Sequence, residues 1–185
     1  YSWRKWKRHS FIFQRLVRNI DEQTYYEVIK KKTAALMVAC TIAGATSVGA
    51  NEQQIELMRQ LGENIGIAFQ IRDDLFDYET DGMFGKPVGN DLRERKITLP
   101  LIYALQNCTT AEKRHTIKKL RKKEKSGADI NQLMRFVKEH GGLEYAQKAM
   151  IEFVGKCKSV LKQTPDNEAH KSLSDLIDFT ISRKK

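Results

Sequence analysis

The stretch FQIRDDLFDYETDGMFGKPVGNDLRERKITLP, residues 69–100, gathers the side chains of this sequence most able to do chemistry. Asp73, Asp74 and Asp77 fall within five positions. On a helix, Asp73 and Asp77 share a face and Asp74 sits about 100° around. Like charges at that spacing repel, by a few tenths of a kcal/mol even in water. A divalent cation would remove that cost and make ligands of the carboxylates. Hard oxygens in small number suit Mg²⁺, which keeps waters and completes its shell with substrate phosphates. Gln70, one turn before Asp73, is placed to hydrogen-bond a substrate or a water. Lys86 follows in a loop where Gly85 and Gly89 let backbone N–H groups approach an anion. Asp91 and Lys96 extend the polar series. Carboxylates that hold metal, with lysines that hold phosphate oxygens, make a diphosphate clamp.

Blander readings compete with each feature. An acidic helix end is as readily a solvated face. GMFGKP does not meet the G-x-x-x-x-G-K-[ST] phosphate-loop pattern. The D-x-D-x-D-G spacing of a calcium loop is also absent. What is specific is the order and spacing of the whole string.

The elements that position these residues read as helices. Alternating strand patterns bounded by turn residues are missing. Thr24 and Glu27 form a capping-box pattern ahead of a mostly apolar helix over about 25–48. Its centre, TAALMVACTIAGA, is apolar on nearly every side, which predicts burial in a bundle. Asn51 opens a helix to about Tyr78, with Ile55, Met58, Leu61, Ile65, Phe69 and Leu75 as its apolar stripe. TDGMFGKPVGND is a loop. Thr98 caps a helix to about Gln106, Thr109 and Glu112 open the next, and Asp129 starts one that stops at Gly141-Gly142. Helices over about 142–163 and 166–183 flank Pro165. The fold class is all-α, long helices around one core.

Composition bounds the rest. At 41% hydrophobic and 30% charged, the 185 residues fit a globular domain rather than a disordered chain. No apolar run approaches the roughly 18 residues of a membrane span. YSWRKWKRHSFIF is a poor secretory signal. Cys40, Cys108 and Cys157, like the four histidines, are too scattered for a disulfide framework or a zinc site, and a cytoplasmic location is expected. The net charge of +10 implies anionic partners or a solvated basic face, concentrated at residues 4–8 and 118–125.

GIAFQIRDDLFDY followed by GKPVGNDLRERKITLPLIYAL resembles the second aspartate-rich region of the trans-isoprenyl diphosphate synthases. YYEVIKKKTAAL is similar to that family's Lys-Thr element, and GGLEYAQKAM and LIDFTISRKK fit as well. The nearest flavour is the octaprenyl-type long-chain group. The resemblance implies a helical bundle of the isoprenoid synthase type. It implies Mg²⁺-assisted ionisation of an allylic diphosphate, attack by isopentenyl diphosphate, and loss of a proton. Asp73, Asp74 and Asp77 would then be metal ligands, Asp73 most directly. Lys32, Thr33 and Gln70 would face the allylic diphosphate, Lys86 would neutralise the leaving diphosphate, and Lys96 would support it.

The family uses two aspartate-rich motifs, and no D-D-x-x-D precedes Asp73. The expectation is therefore the C-terminal half of a synthase over 13–185, behind a basic segment, 1–12, unlike the family. Such a half is expected to be inactive alone. It should leave apolar faces over 34–48 and 55–76 uncovered, and to dimerise or pair with an N-terminal half. Two other readings are a non-catalytic subunit of a heteromeric synthase and a nucleic-acid binder built on Trp3 and Trp6. Five intact site residues argue against the first, and the lack of any nucleic-acid motif argues against the second.

Overall fold

The computed structural model describes residues 21–79 and 88–183. The segment 1–12 with Trp3 and Trp6, and the loop residues Gly85 and Lys86, lie outside the described residues. Among those described, the secondary structure is helical and no strand forms. The helices are α1 (Glu22–Ile29), α2 (Ala35–Ser47), α3 (Glu52–Phe76), α4 (Asn90–Arg93), α5 (Leu99–Gln106), α6 (Thr110–Arg121), α7 (Gly127–Glu139), α8 (Gly142–Leu161) and α9 (Glu168–Ser182). A π-helical turn, Lys30–Ala34, joins α1 to α2. None of the described helices is long and apolar enough to cross a membrane.

The chain divides into two compact units. Among the described residues, one comprises 21–25 with 74–79 and 88–146, the other 26–73 with 147–183. In the first, α5 is buried along almost its whole length, and Leu99, Leu101, Ile102 and Leu105 are fully enclosed with Leu120, Ile130 and Leu133. Each such side chain contributes about 1.5–3 kcal/mol by leaving water. Two capping boxes fix the flanking helices: Thr109 with Glu112 starts α6, and Ser126 with Asp129 starts α7. Tyr145 stacks on Tyr103 at 4.1 Å between ring centres and donates to the Glu22 carboxylate at 2.7 Å.

The second unit depends on a close helix contact. A Cβ on Gly66 would lie 2.5 Å from the Ala34 Cα, and one on Gly62 would lie 2.9 Å from the Met37 carbonyl oxygen. Glycines one turn apart on α3 thus let its backbone touch the π-turn and α2. Around that contact Leu61, Ile65, Ile67, Ala68 and Ile71 are buried.

Several sequence expectations need correction. Asp21, not Thr24, caps α1: its carboxylate accepts from the Thr24 N–H at 2.6 Å and the Thr24 hydroxyl at 2.9 Å. Thr98 stands at the cap of α5 but makes no side-chain cap bond, and its hydroxyl pairs with the Tyr78 phenol at 3.2 Å. The helix opened by Asn51 ends at Phe76, not Tyr78, as the Tyr78 and Glu79 N–H groups turn back to Leu75 and Phe76. Asp129 is the third residue of its helix and Ser126 its cap. α2 has no buried residue, and Leu36 and Val48 are 69% and 82% exposed. Its apolar surface is too broad for the single close contact α3 offers. The expected bare face therefore holds for α2 but not for α3, which finds partners within this chain.

Gly66→Ala should lower stability by about 1–3 kcal/mol, because backbone must move to admit the methyl group. Gly155, with nothing within 4 Å of its would-be Cβ, should behave oppositely. Gly155→Ala should raise stability by up to about 1 kcal/mol through helix propensity. Thermal unfolding of both variants checks the pair. Burial pushes the Cys157 thiol up to about 12. It should resist alkylation at pH 8 until the chain unfolds, a protection that mass spectrometry across a denaturant series can follow.

Candidate functional site

Asp73 and Asp74 lie in the last turn of α3, and Asp77 directly follows that helix. This is an awkward place for carboxylates, since the helix dipole presents its negative end there. Each aspartate is drawn to a separate donor. In the first unit, the buried Asp74 carboxylate accepts from the Tyr25 phenol at 2.8 Å. Asp77 is also buried, and its two oxygens accept from the backbone N–H groups of Asn90 and Asp91, both at 2.9 Å. Its own carbonyl accepts from the Gly89 N–H at 2.9 Å. Gly89 takes φ +78° to turn the chain into α4, a conformation side chains rarely adopt. Asp77 therefore anchors α4 from within.

Beyond α4, Lys96 donates to Asp91 at 2.7 Å and pairs with Glu94 at 2.9 Å. Burial alone would lower its ammonium pKa, but these two carboxylates outweigh that and hold it above the ordinary value. Burial also holds the Tyr78 phenol well above its usual range, with Thr98 opposing and Asp77, Asp74 and Asp91 reinforcing, so it stays protonated.

In the second unit, the π-turn brings the Lys-Thr element to α3. The Thr33 hydroxyl donates to the Gln70 amide oxygen at 2.7 Å. Lys30 pairs with Glu63 at 2.8 Å, while the neighbouring Lys32 is exposed. One turn beyond Gln70, Asp73 keeps 44% of its side chain exposed and accepts from the Arg183 guanidinium at 2.6 Å.

Lys32, Thr33, Gln70 and Asp73 thus belong to one unit, where Thr33 and Gln70 bond directly. Asp74, Asp77 and Lys96 belong to the other, and Lys86 lies outside the described residues. Among the described residues no group of three carboxylate, histidine or cysteine side chains is gathered to hold a metal ion. Donor chemistry separates the aspartates. Asp73 is accessible and already holds a cation, whereas both oxygens of Asp77 hold backbone N–H groups. Tyr25 and Arg183 were missed by sequence reasoning. They lie 49 and 110 positions from their aspartates, and no local pattern marks them.

Comparison with known proteins places this geometry. The Polyprenyl synthetase family profile matches residues 12–137. The short chain isoprenyl diphosphate synthase of Methanothermobacter thermautotrophicus is 34% identical over 169 residues, covering 90% of this chain and 51% of the relative. Relatives named for octaprenyl and nonaprenyl products match too. The crystal structure of geranylgeranyl pyrophosphate synthase from Bacteroides thetaiotaomicron superposes with a TM-score of 0.85 at 36% identity, over 96% of this chain and 59% of that one. A polyprenyl synthase from Caulobacter crescentus complexed with calcium and isoprenyl diphosphate gives 0.82 at 30% identity, over 97% of this chain and 58% of that one. The chain belongs to the polyprenyl synthetase family and has its all-α fold. It spans about half the length of the curated relatives it matches.

Asp77→Ala would strip acceptors from two N–H groups and should cost about 1–3 kcal/mol, while Asp77→Asn, keeping one acceptor, should cost less. Equilibrium denaturation checks the order. Equal stability of Asp77→Ala and the parent chain would show that α4 does not depend on this carboxylate.

Proposed function

We propose that this chain supplies the diphosphate-holding part of a trans-prenyltransferase. The enzyme would make polyprenyl diphosphate by head-to-tail condensation of isopentenyl diphosphate with an allylic diphosphate. The observation that carries the proposal is the Thr33–Gln70 hydrogen bond, with Lys32 before it in sequence and Asp73 one turn beyond. It joins two of the resemblance motifs, 37 positions apart, by a direct bond.

Asp73 fits a hard divalent cation, since its carboxylate is half-exposed on a well-buried helix and a guanidinium already stands on it. We assign Mg²⁺ there, where it would supply Lewis-acid stabilisation of charge on the departing diphosphate. Asp74 and Asp77 are the other two carboxylates of the acidic motif, and their buried bonds hold the chain around the end of α3. Lys32, Lys86 and Lys96 take up phosphate charge. Thr33 orients the Gln70 amide toward the reacting end of the allylic substrate. The exposed apolar face of α2 packs, on this reading, against the half of a synthase to which these 185 residues have no counterpart, and the assembled enzyme is a dimer. A cytoplasmic site of action accords with the three free thiols.

A chimera tests the proposal: residues 13–185 replace the matching half of the Methanothermobacter relative. Chain elongation from an allylic primer should persist. Asp73→Asn should lower kcat/KM by about 10²-fold. A folded chimera whose elongation is indifferent to Asp73→Asn would overturn the assignment.

A further inference from the structure

Arg183 follows the last residue of α9 and is fastened to the end of α3 by several contacts at once. Its Nη2 donates to Asp73 Oδ1 at 2.6 Å. Its guanidinium lies 3.9 Å from the centre of the Phe69 ring, and the same Nη2 reaches the Phe69 carbonyl oxygen at 3.5 Å. The Arg183 carbonyl accepts from Arg72 at 3.1 Å, and its N–H donates to Phe179 at 3.0 Å. Phe69, Arg72 and Asp73 are spaced three and four apart, so one face of α3 receives the whole residue. An ion pair with one partner nearly half exposed is weak by itself. The aromatic face and the backbone contacts are what give this one a fixed geometry.

We propose that Arg183 is a removable counter-cation. It neutralises Asp73 while no metal is bound, and a divalent cation takes that oxygen by expelling it. The inference rests on the assignment of Asp73 as a metal ligand. A metal at about 2.0–2.1 Å from Oδ1 and a guanidinium nitrogen on the same oxygen would set two cations side by side, and their repulsion favours departure of the guanidinium. Coupling of this kind is reciprocal: if the guanidinium weakens metal binding, metal loosens the guanidinium. The C-terminal end of α9 then changes state with the metal content of the site. Product release and metal release would each favour return of the latch.

Mn²⁺, followed by the loss of its free-ion electron spin resonance signal, reports binding without any substrate or turnover. Arg183→Gln should bind Mn²⁺ about five-fold more tightly than the parent chain. Phe69→Leu keeps both charges and removes only the ring, so it should shift affinity in the same direction by less. It also guards against a variant that merely disturbs the helix end. Asp73→Asn should abolish the binding. In the parent chain, Mn²⁺ should speed amide hydrogen exchange at Ile181–Arg183. If binding depends on Asp73 but Arg183→Gln leaves it unchanged or weakens it, the latch is wrong and the metal assignment stands. If no Asp73-dependent binding occurs in either chain, both fall.

Discussion

Three carboxylates at the negative end of one long helix are the constraint on which the rest of the structure turns. Asp74 and Asp77 are buried, and an unpaired buried carboxylate is far too costly to keep. The partners that answer this demand come from distant parts of the chain. Tyr25 reaches Asp74 from α1, and the start of α4 folds onto Asp77. In the other unit, the residue after α9 reaches Asp73. The placement of Tyr25 and α4 against Asp74 and Asp77, and of the residue after α9 against Asp73, follows from satisfying these groups. The same demand sorts the aspartates chemically. Asp77 holds a backbone N–H on each oxygen and Asp74 holds a buried phenol, whereas the half-exposed Asp73 is met by the Arg183 side chain.

A second constraint acts on the backbone. Thr33 can bond Gln70 only because α3 and the π-turn lie unusually close. Gly62 and Gly66 permit that approach, and the contact leaves no room for a methyl group on Gly66. The π-turn inserts itself between α1 and α2 at the Lys-Thr element, where a wider helical turn changes the direction in which successive side chains leave. Packing and chemistry share one contact here. The glycines that let the helices touch also bring the threonine hydroxyl within bonding distance of the amide.

Most helix positions were legible because their signals are local. The Thr109–Glu112 box and the Asn51 cap lie within four residues of what they fix, and both form, Asn51 trading bonds with Gln54 at 2.9 Å. Local signals also misled where two donors competed. Thr24 reads as a cap until Asp21, three positions earlier, proves the better acceptor. Thr98 reads as a cap until the Tyr78 phenol claims its hydroxyl. For the site, charge spacing marked the aspartates and the resemblance marked Lys32 and Thr33, but their partners were hidden. The sequence could not reveal that Asp77 serves α4, or that Arg183 reaches Asp73 across 110 positions, because such bonds depend on tertiary packing. α2 shows a different limit. A segment apolar on every side demands cover, but its sequence does not say whose surface provides it.

That bare surface bears on the chemistry. Departure of a diphosphate from an allylic carbon builds charge that water would quench, and a prenyl transfer site must exclude water to direct the cation toward its partner. Within this chain, Thr33 is only half-buried and the adjoining α2 presents Leu36 to solvent. On the proposed function, the side chains assigned to the diphosphate would then be present without the wall that would keep the reacting carbon dry. Gripping needs only fixed donors and charges, which a single close helix contact supplies. Sheltering a carbocation needs apolar surface on several sides. On that reading the π-turn and α3 would do the first within these residues, and the exposed apolar side of α2 would be where the second is completed.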